Sequence, residues 1–153
     1  MNFTLTSTSF APGAAIPKAH TADGIDVSPP LRWAGSPAGT KFFALICDDP
    51  DAPAGTWVHW LIWNVPAAAG GLAQGVPTTK TLADGSAQGK NDFGRIGYGG
   101  PSPPRGKPHR YYFRLYALKE KLSLAPGASR RELDKAMEGR IVASVELIGI
   151  YGR

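Results

Sequence analysis

The chain of 153 residues contains a single cysteine, Cys47, so no disulfide can close within it. The fold must be held by a packed core rather than by covalent staples, and a reducing compartment is permitted. No stretch approaches the ~18 consecutive apolar residues needed to cross a bilayer. The opening Met1-Asn2-Phe3-Thr4-Leu5-Thr6 has neither the basic n-region nor the apolar h-region of a secretory signal. These absences predict a cytoplasmic protein without a transmembrane segment. Charged residues are few, at 19%, and no run of five like charges occurs. Repeats and composition breaks are also lacking, which leaves one domain over residues 1–153.

What is present is apolar residues, at 42%, together with 19 Gly and 14 Pro. That apolar content supplies a core and excludes disordered, collagen-like and coiled-coil readings. The net charge of +5 is uneven: residues 1–104 sum to −1 and residues 105–153 to +6. Because the basic residues are interspersed with acids and aromatics, they read as a solvated surface and no nucleic-acid partner is expected.

Periodicity predicts mostly strand. Lys41 to Cys47 and Trp57 to Val65 are apolar on both parities, as strands covered on two faces are. His109 to Leu118 alternates, with His109, Tyr111, Phe113 and Leu115 on one face and Arg110, Tyr112, Arg114 and Tyr116 on a partly wet one. Residues 67–92 show no period and read as a long surface excursion. One helix is signalled by the Ser129-to-Glu132 capping box, the Leu133, Ala136 and Met137 stripe and Gly139 at its end. Ile141 to Tyr151 then returns as a strand. The expected fold is mostly β, an antiparallel β-sandwich with one or two short helices.

Groups able to do chemistry collect in two segments. In the first, Asp48-Asp49-Pro50-Asp51-Ala52-Pro53 leads to Trp57-Val58-His59-Trp60. Asp49 shares parity with Phe43, Leu45 and Cys47, so its carboxylate emerges buried where a strand leaves the core. Trp57 and His59, two apart, share a face. In the second, a loop from Tyr98 through Pro101-Ser102-Pro103-Pro104 runs into His109-Arg110-Tyr111, with ten Gly or Pro among residues 89–108. Two imidazoles, a phenol and an indole beside a carboxylate would form a small polar pocket with an aromatic wall, suited to an oxyanion. His20, in an Ala-Thr-Asp loop, reads as surface. Trp33, Trp60, Trp63 and Cys47 read as core, and the Arg130-Arg131 pair as free of any site.

Ser28-Pro29-Pro30-Leu31-Arg32-Trp33, the Asp49-to-Trp60 segment and the Gly100-to-Tyr111 segment together resemble the phosphatidylethanolamine-binding protein family, in its bacterial Raf kinase inhibitor-like branch. The closing Glu146-Leu147-Ile148-Gly149-Ile150-Tyr151-Gly152 is similar to the bacterial form, and the resemblance spans the chain. It implies a β-sandwich whose surface pocket binds phosphate or a phospholipid headgroup through Asp49, Asp51, Trp57, His59, Pro103, Pro104, His109 and Tyr111. Ser102 stands where relatives often have Gly, and as a member of the pocket it either narrows it or adds a hydroxyl donor. The resemblance also implies a cis proline near the pocket, with Ala52–Pro53 the candidate. It implies a homodimer and a regulated protein partner such as a kinase.

The expected mechanism is binding without catalysis and without cofactor or metal. Asp49 orients one imidazole, and His59 and His109 donate to an anion whose affinity rises as pH falls toward the ordinary histidine value of about 6.5. Two other classes remain at this level. A metal site of two His and Asp49 lacks the tight spacing such sites show. A hydrolase or lyase with His59 or His109 as general base would draw on Ser102 or Cys47, with no nucleophile elbow in the sequence.

Overall fold

The computed structural model describes residues 2–153. Its centre is β3 (Phe42–Asp49), an eight-residue strand buried along nearly its whole length. It lies between β4 (Trp57–Pro66) and β7 (His109–Leu118), antiparallel to both. The short β6 (Ala87–Gln88) extends this sheet beyond β4, and β8 (Ile141–Tyr151) extends it beyond β7, giving the order β6-β4-β3-β7-β8. A second sheet joins β1 (Thr4–Thr6), β2 (Leu31–Ala34) and β5 (Gly71–Leu72) in the order β1-β2-β5. The mostly β antiparallel sandwich expected from the pattern is the observed architecture.

Each face of the five-stranded sheet has its own cover, which is why β3 and β4 are apolar on both parities. On one face, Phe43, Leu45, Trp60, Ile62, Phe113 and Leu115 pack against Leu5, Leu31 and Trp33 of the smaller sheet. On the other, Ala44, Ile46, Leu61 and Trp63 pack against Leu133 and Met137 of helix α1 (Arg130–Met137). The helix begins with the expected capping box, and Gly139 follows it at φ +74°, a left-handed turn glycine tolerates. A three-residue 3-10 turn, Lys18–His20, accompanies it.

Two sequence expectations are corrected. The excursion over residues 67–92 is not wholly superficial, because it contains β5 and ends in buried β6, where Gln88 accepts from Trp60 Nε1 at 2.8 Å. Single-sequence periodicity cannot register a two-residue strand. His20 is buried rather than surface, its ring nitrogens meeting the Val27 carbonyl at 2.9 Å and Ser9 Oγ at 3.1 Å. Those partners come from loops distant in pattern, so nothing local signals the burial.

Asp48, 1% exposed, points to the helix side. Arg114 of β7 grips it with two nitrogens at 3.0 and 3.1 Å, and Arg130 of α1 reaches it at 2.9 Å. Arg130, set aside in the sequence, therefore fastens the helix to the sheet. Removing this buried carboxylate takes from both guanidiniums the partner they share and leaves them only the exposed Glu146 and Asp134. Asp48→Ala should lower the unfolding free energy by about 3–5 kcal/mol in urea titrations, while Arg131→Ala, exposed and unpaired, should stay within about 0.5 kcal/mol of wild type.

Candidate functional site

The C-terminal end of β3 and the N-terminal ends of β4 and β7 lie at the same edge of the sheet, as antiparallel neighbours must. Asp49 therefore sits beside Trp57, its partner in register, and within reach of His109. In β4 the register slips between Cys47↔Trp60 and Asp48↔Val58, which makes His59 the extra residue of a bulge. The bulge lets Trp57 and His59 face the same side as Trp60 and Ile62, so a strict alternation does not bury the imidazole under the helix.

These residues line a cleft of about 180 Å³. Its floor is Asp49, Trp57, His59, His109 and Tyr111, and its wall is Ser102, Pro103 and Pro104, with Ala52, Pro53 and Phe93 completing it. Eight of the nine residues expected from the sequence are thus brought together. Asp51 is not among them. It turns to Arg110, accepting from the backbone N–H and from Nε and Nη2 at 2.8–3.0 Å, and Arg110 holds its carboxyl down at about 2. Its neighbour, Ala52–Pro53, is not cis; no cis peptide bond occurs among the described residues. Phe93 was missed because it sits in the aperiodic excursion, yet its ring stands edge-on to both Trp57 and His59 at 5.5 and 5.4 Å.

The hydrogen bonds fix the polarity of the floor. Asp49 uses both oxygens: Oδ1 accepts from the Asp51 backbone N–H at 2.8 Å, and Oδ2 accepts from His109 Nδ1 at 2.7 Å. His59 Nδ1 donates to the Gly99 carbonyl at 2.5 Å. A carbonyl only accepts, so the proton belongs on Nδ1 and the Nε2 of neutral His59 carries a lone pair. Burial holds His59 below the ordinary histidine pKa, opposed by the Gly99 carbonyl and the charge of Asp49. Tyr111 lies between the imidazoles, with ring centroids 5.2 Å from His59 and 6.5 Å from His109. Burial, reinforced by Asp49, raises its phenol far above the usual range, so it remains a donor. Two buried donors make no well-formed hydrogen bond: Trp57 Nε1, and Tyr111 Oη, which has the Asp49 carboxylate near it. Such orphans cost about 1–3 kcal/mol each and call for an explanation.

The wall is pinned from behind. Gly100 N donates to Asp26 Oδ1 at 2.8 Å, and an added Cβ there would lie 2.3 Å from the His20 carbonyl oxygen, so only glycine fits. Tyr98 Oη donates to that same carbonyl. Arg153 binds the Pro103 carbonyl at 2.9 Å, Ser102 Oγ at 3.3 Å and the Asp23 carboxylate at 2.8 and 3.0 Å. Among the described residues, no group of three His, Cys, Asp or Glu side chains is arranged to hold a metal ion. Cys47 is buried in the core, its thiol pKa raised by burial.

The chain is similar to known proteins over nearly its whole length. The sequence profile described as phosphatidylethanolamine-binding protein matches residues 6–152. A UPF0098 protein of Methanothermobacter thermautotrophicus is 53% identical over 138 residues, covering 90% of this chain and 91% of that protein. One from Aquifex aeolicus is 49% identical, covering 96% and 86%. The crystal structure of a putative phosphatidylethanolamine-binding protein homologue from Chlamydia trachomatis superposes with a TM-score of 0.90 at 38% identity, covering 99% of this chain and 97% of that one. Escherichia coli YbcL, described as a member of the mammalian PEBP family, also gives 0.90, at 34% identity and coverage of 99% and 98%.

The Arg153 clamp makes a direct prediction about the wall. Arg153, with Tyr151, holds the Asp23 carboxyl at about 2, so the clamp is present above pH ~4 and is lost as pH falls through ~2. At neutral pH, Arg153→Ala should speed amide exchange at Ser102, Arg105 and Gly106 by about tenfold, the equivalent of one or two hydrogen bonds, and leave β3 and β7 unchanged.

Proposed function

The chain belongs to the phosphatidylethanolamine-binding protein family, and from that footing we propose that it is a cytoplasmic binding protein whose cleft takes up an oxyanion such as phosphate or a phospholipid headgroup. One observation carries this reading: two residues that line the cleft, Trp57 and Tyr111, each carry a buried donor, Nε1 and Oη, that makes no well-formed hydrogen bond. An oxyanion supplies the acceptors both lack. The apolar flanks, Phe93, Pro53, Pro103 and Pro104, exclude water from those bonds and strengthen them. Occupation would also alter the exposed rim at Phe93 and Pro104, a route by which a ligand could regulate a partner protein such as a kinase.

The Asp49–His109 pair favours a second reading, a general base acting on a bound ester through water. No side-chain nucleophile supports it: Cys47 is in the core, and Ser102 Oγ accepts from the Arg153 guanidinium at 3.3 Å and makes no hydrogen bond to an imidazole among the described residues. Turnover of aryl esters or phosphoesters that disappears in His109→Ala would establish it over plain binding.

Inorganic phosphate titrated into the protein should bind, and Trp57→Phe and Tyr111→Phe should each weaken it by about tenfold, the loss of one hydrogen bond to a charged group. His59 must gain a proton at Nε2 to donate, and its pKa lies below 6.5 when the cleft is empty. A ligand that prefers the protonated imidazole binds more tightly as pH falls, so affinity at pH ~6 should exceed that at pH ~8. Calorimetric titrations giving no heat at either pH, or unchanged affinity in both variants, would contradict the reading.

A further inference from the structure

The wall of the cleft is fastened to the rest of the chain at few points. Four of the eight residues 101–108 are proline, which removes their backbone donors and leaves the segment unable to pair with a strand. Its two ends are fixed. The Pro101 carbonyl accepts from the Ala22 N–H at 2.9 Å, and Pro108 packs so closely on Gly152 that an added Cβ there would lie 3.0 Å away. Between those ends, among the described residues, every hydrogen bond of residues 102–107 to another part of the chain goes to Arg153. Its guanidinium meets the Pro103 carbonyl at 2.9 Å and Ser102 Oγ at 3.3 Å, and its own carbonyl accepts from the Gly106 N–H at 3.5 Å. Apart from Pro103, residues 102–107 are exposed.

Arg153 is held in turn from the far side. The Asp23 carboxylate accepts from its guanidinium at 2.8 and 3.0 Å, and from Tyr151 Oη at 2.6 Å. A planar guanidinium can serve Asp23 and the wall at once, which an ammonium cannot. The Arg153 and Asp23 side chains are 31% and 30% exposed, a setting in which an ion pair is weak and screened by salt. Gly106 stands at φ +133° with open space where a Cβ would be, so the backbone is free to turn there.

We propose that residues 102–107 form a lid over the cleft, latched shut by the Arg153–Asp23 pair and turning at Gly106 when that pair parts. The prolines make the lid a stiff flap that moves as one piece. Latched, the cleft is about 180 Å³, smaller than the ~300–1,000 Å³ of pockets that enclose a whole small molecule. Its floor is closed off as well, with Tyr111 1% and His109 8% exposed. Raising the flap uncovers that floor and enlarges the cleft, so the latch governs access whatever the occupant. Arg153 and Tyr151 hold the Asp23 carboxyl at about 2, which keeps the latch charged at ordinary pH. It therefore answers to ionic strength rather than to pH.

Relaxation-dispersion NMR on the full chain without ligand tests this, and so stands apart from the oxyanion reading. The amides of Ser102, Arg105, Gly106 and Lys107 should share one exchange rate while β3 stays quiet. The rings of His109 and Tyr111 should show that same rate, because they lose their cover together. Raising salt from about 0.01 M to about 1 M, which shortens the Debye length from about 30 Å to about 3 Å, should enlarge the open population. Asp23→Asn should enlarge it about two- to fivefold, the range expected on losing a surface ion pair. Arg153→Lys, which keeps the charge and loses the fork, should also enlarge it. Absent or unrelated exchange at the four amides, floor rings that stay silent, or an open population indifferent to both salt and Asp23→Asn would overturn the lid. The salt series on the wild-type chain decides the matter even if a variant does not fold.

Discussion

β3 ends in two consecutive buried carboxylates that must face opposite sides of the sheet. Asp48 is 1% exposed and Asp49 3%, and a strand sends neighbours in opposite directions. Burying either without partners would cost far more than the domain's net stability allows. Each is therefore answered by its own set of groups. Arg114 and Arg130 meet Asp48 and draw helix α1 onto the sheet. His109 and the Asp51 backbone meet Asp49 and draw the start of β7 and the following turn around the cleft. The position of the helix and the shape of the site thus follow from one dipeptide at the end of the most buried strand.

The cleft inherits its chemistry from that arrangement. Asp49 turns His109, the Gly99 carbonyl turns His59, and the bulge in β4 keeps His59 on the cleft side. Tyr111, between the two rings, has its hydroxyl left over, as does the Trp57 indole N–H. A site with committed Nδ1 atoms and free donors is preorganised: little would have to reorient for the oxyanion uptake we propose, so its ordering cost would be small. The rigid wall acts in the same sense. Its Gly-Pro composition offers little slack because Asp26, Tyr98 and Arg153 hold it from behind.

Much of this was legible in the chain. The double-parity runs of β3 and β4, the alternation of β7 and the capping box of α1 each reflect burial or hydrogen bonding that local pattern encodes. The parity of Asp49 with Cys47, and of His109 with Tyr111, is enough to bring the core of the site together. What escaped depended on pairings far apart in sequence. Arg153 reaches Ser102 and Asp23, Arg130 reaches Asp48, and His20 reaches Ser9, contacts with no periodic trace. Asp51 was drawn into the site by its motif neighbours, whereas the salt bridge to Arg110, at 2.8 Å, takes it outward. The direction of the histidine protons was also beyond the sequence, since it is set by the Gly99 carbonyl across the fold.

In the function proposed, the two imidazoles, the indole and the phenol form one oxyanion site whose histidines are held by Nδ1. Long-range nitrogen–proton NMR on uniformly 15N-labelled protein reads this directly, because protonated and unprotonated ring nitrogens resonate far apart. At about pH 8 the free protein should show His59 protonated at Nδ1 and bare at Nε2, and saturating phosphate should move the Nε2 resonances of both His59 and His109. A His59 ring protonated at Nε2 in the free protein, or Nε2 signals that stay fixed in phosphate, would contradict the account.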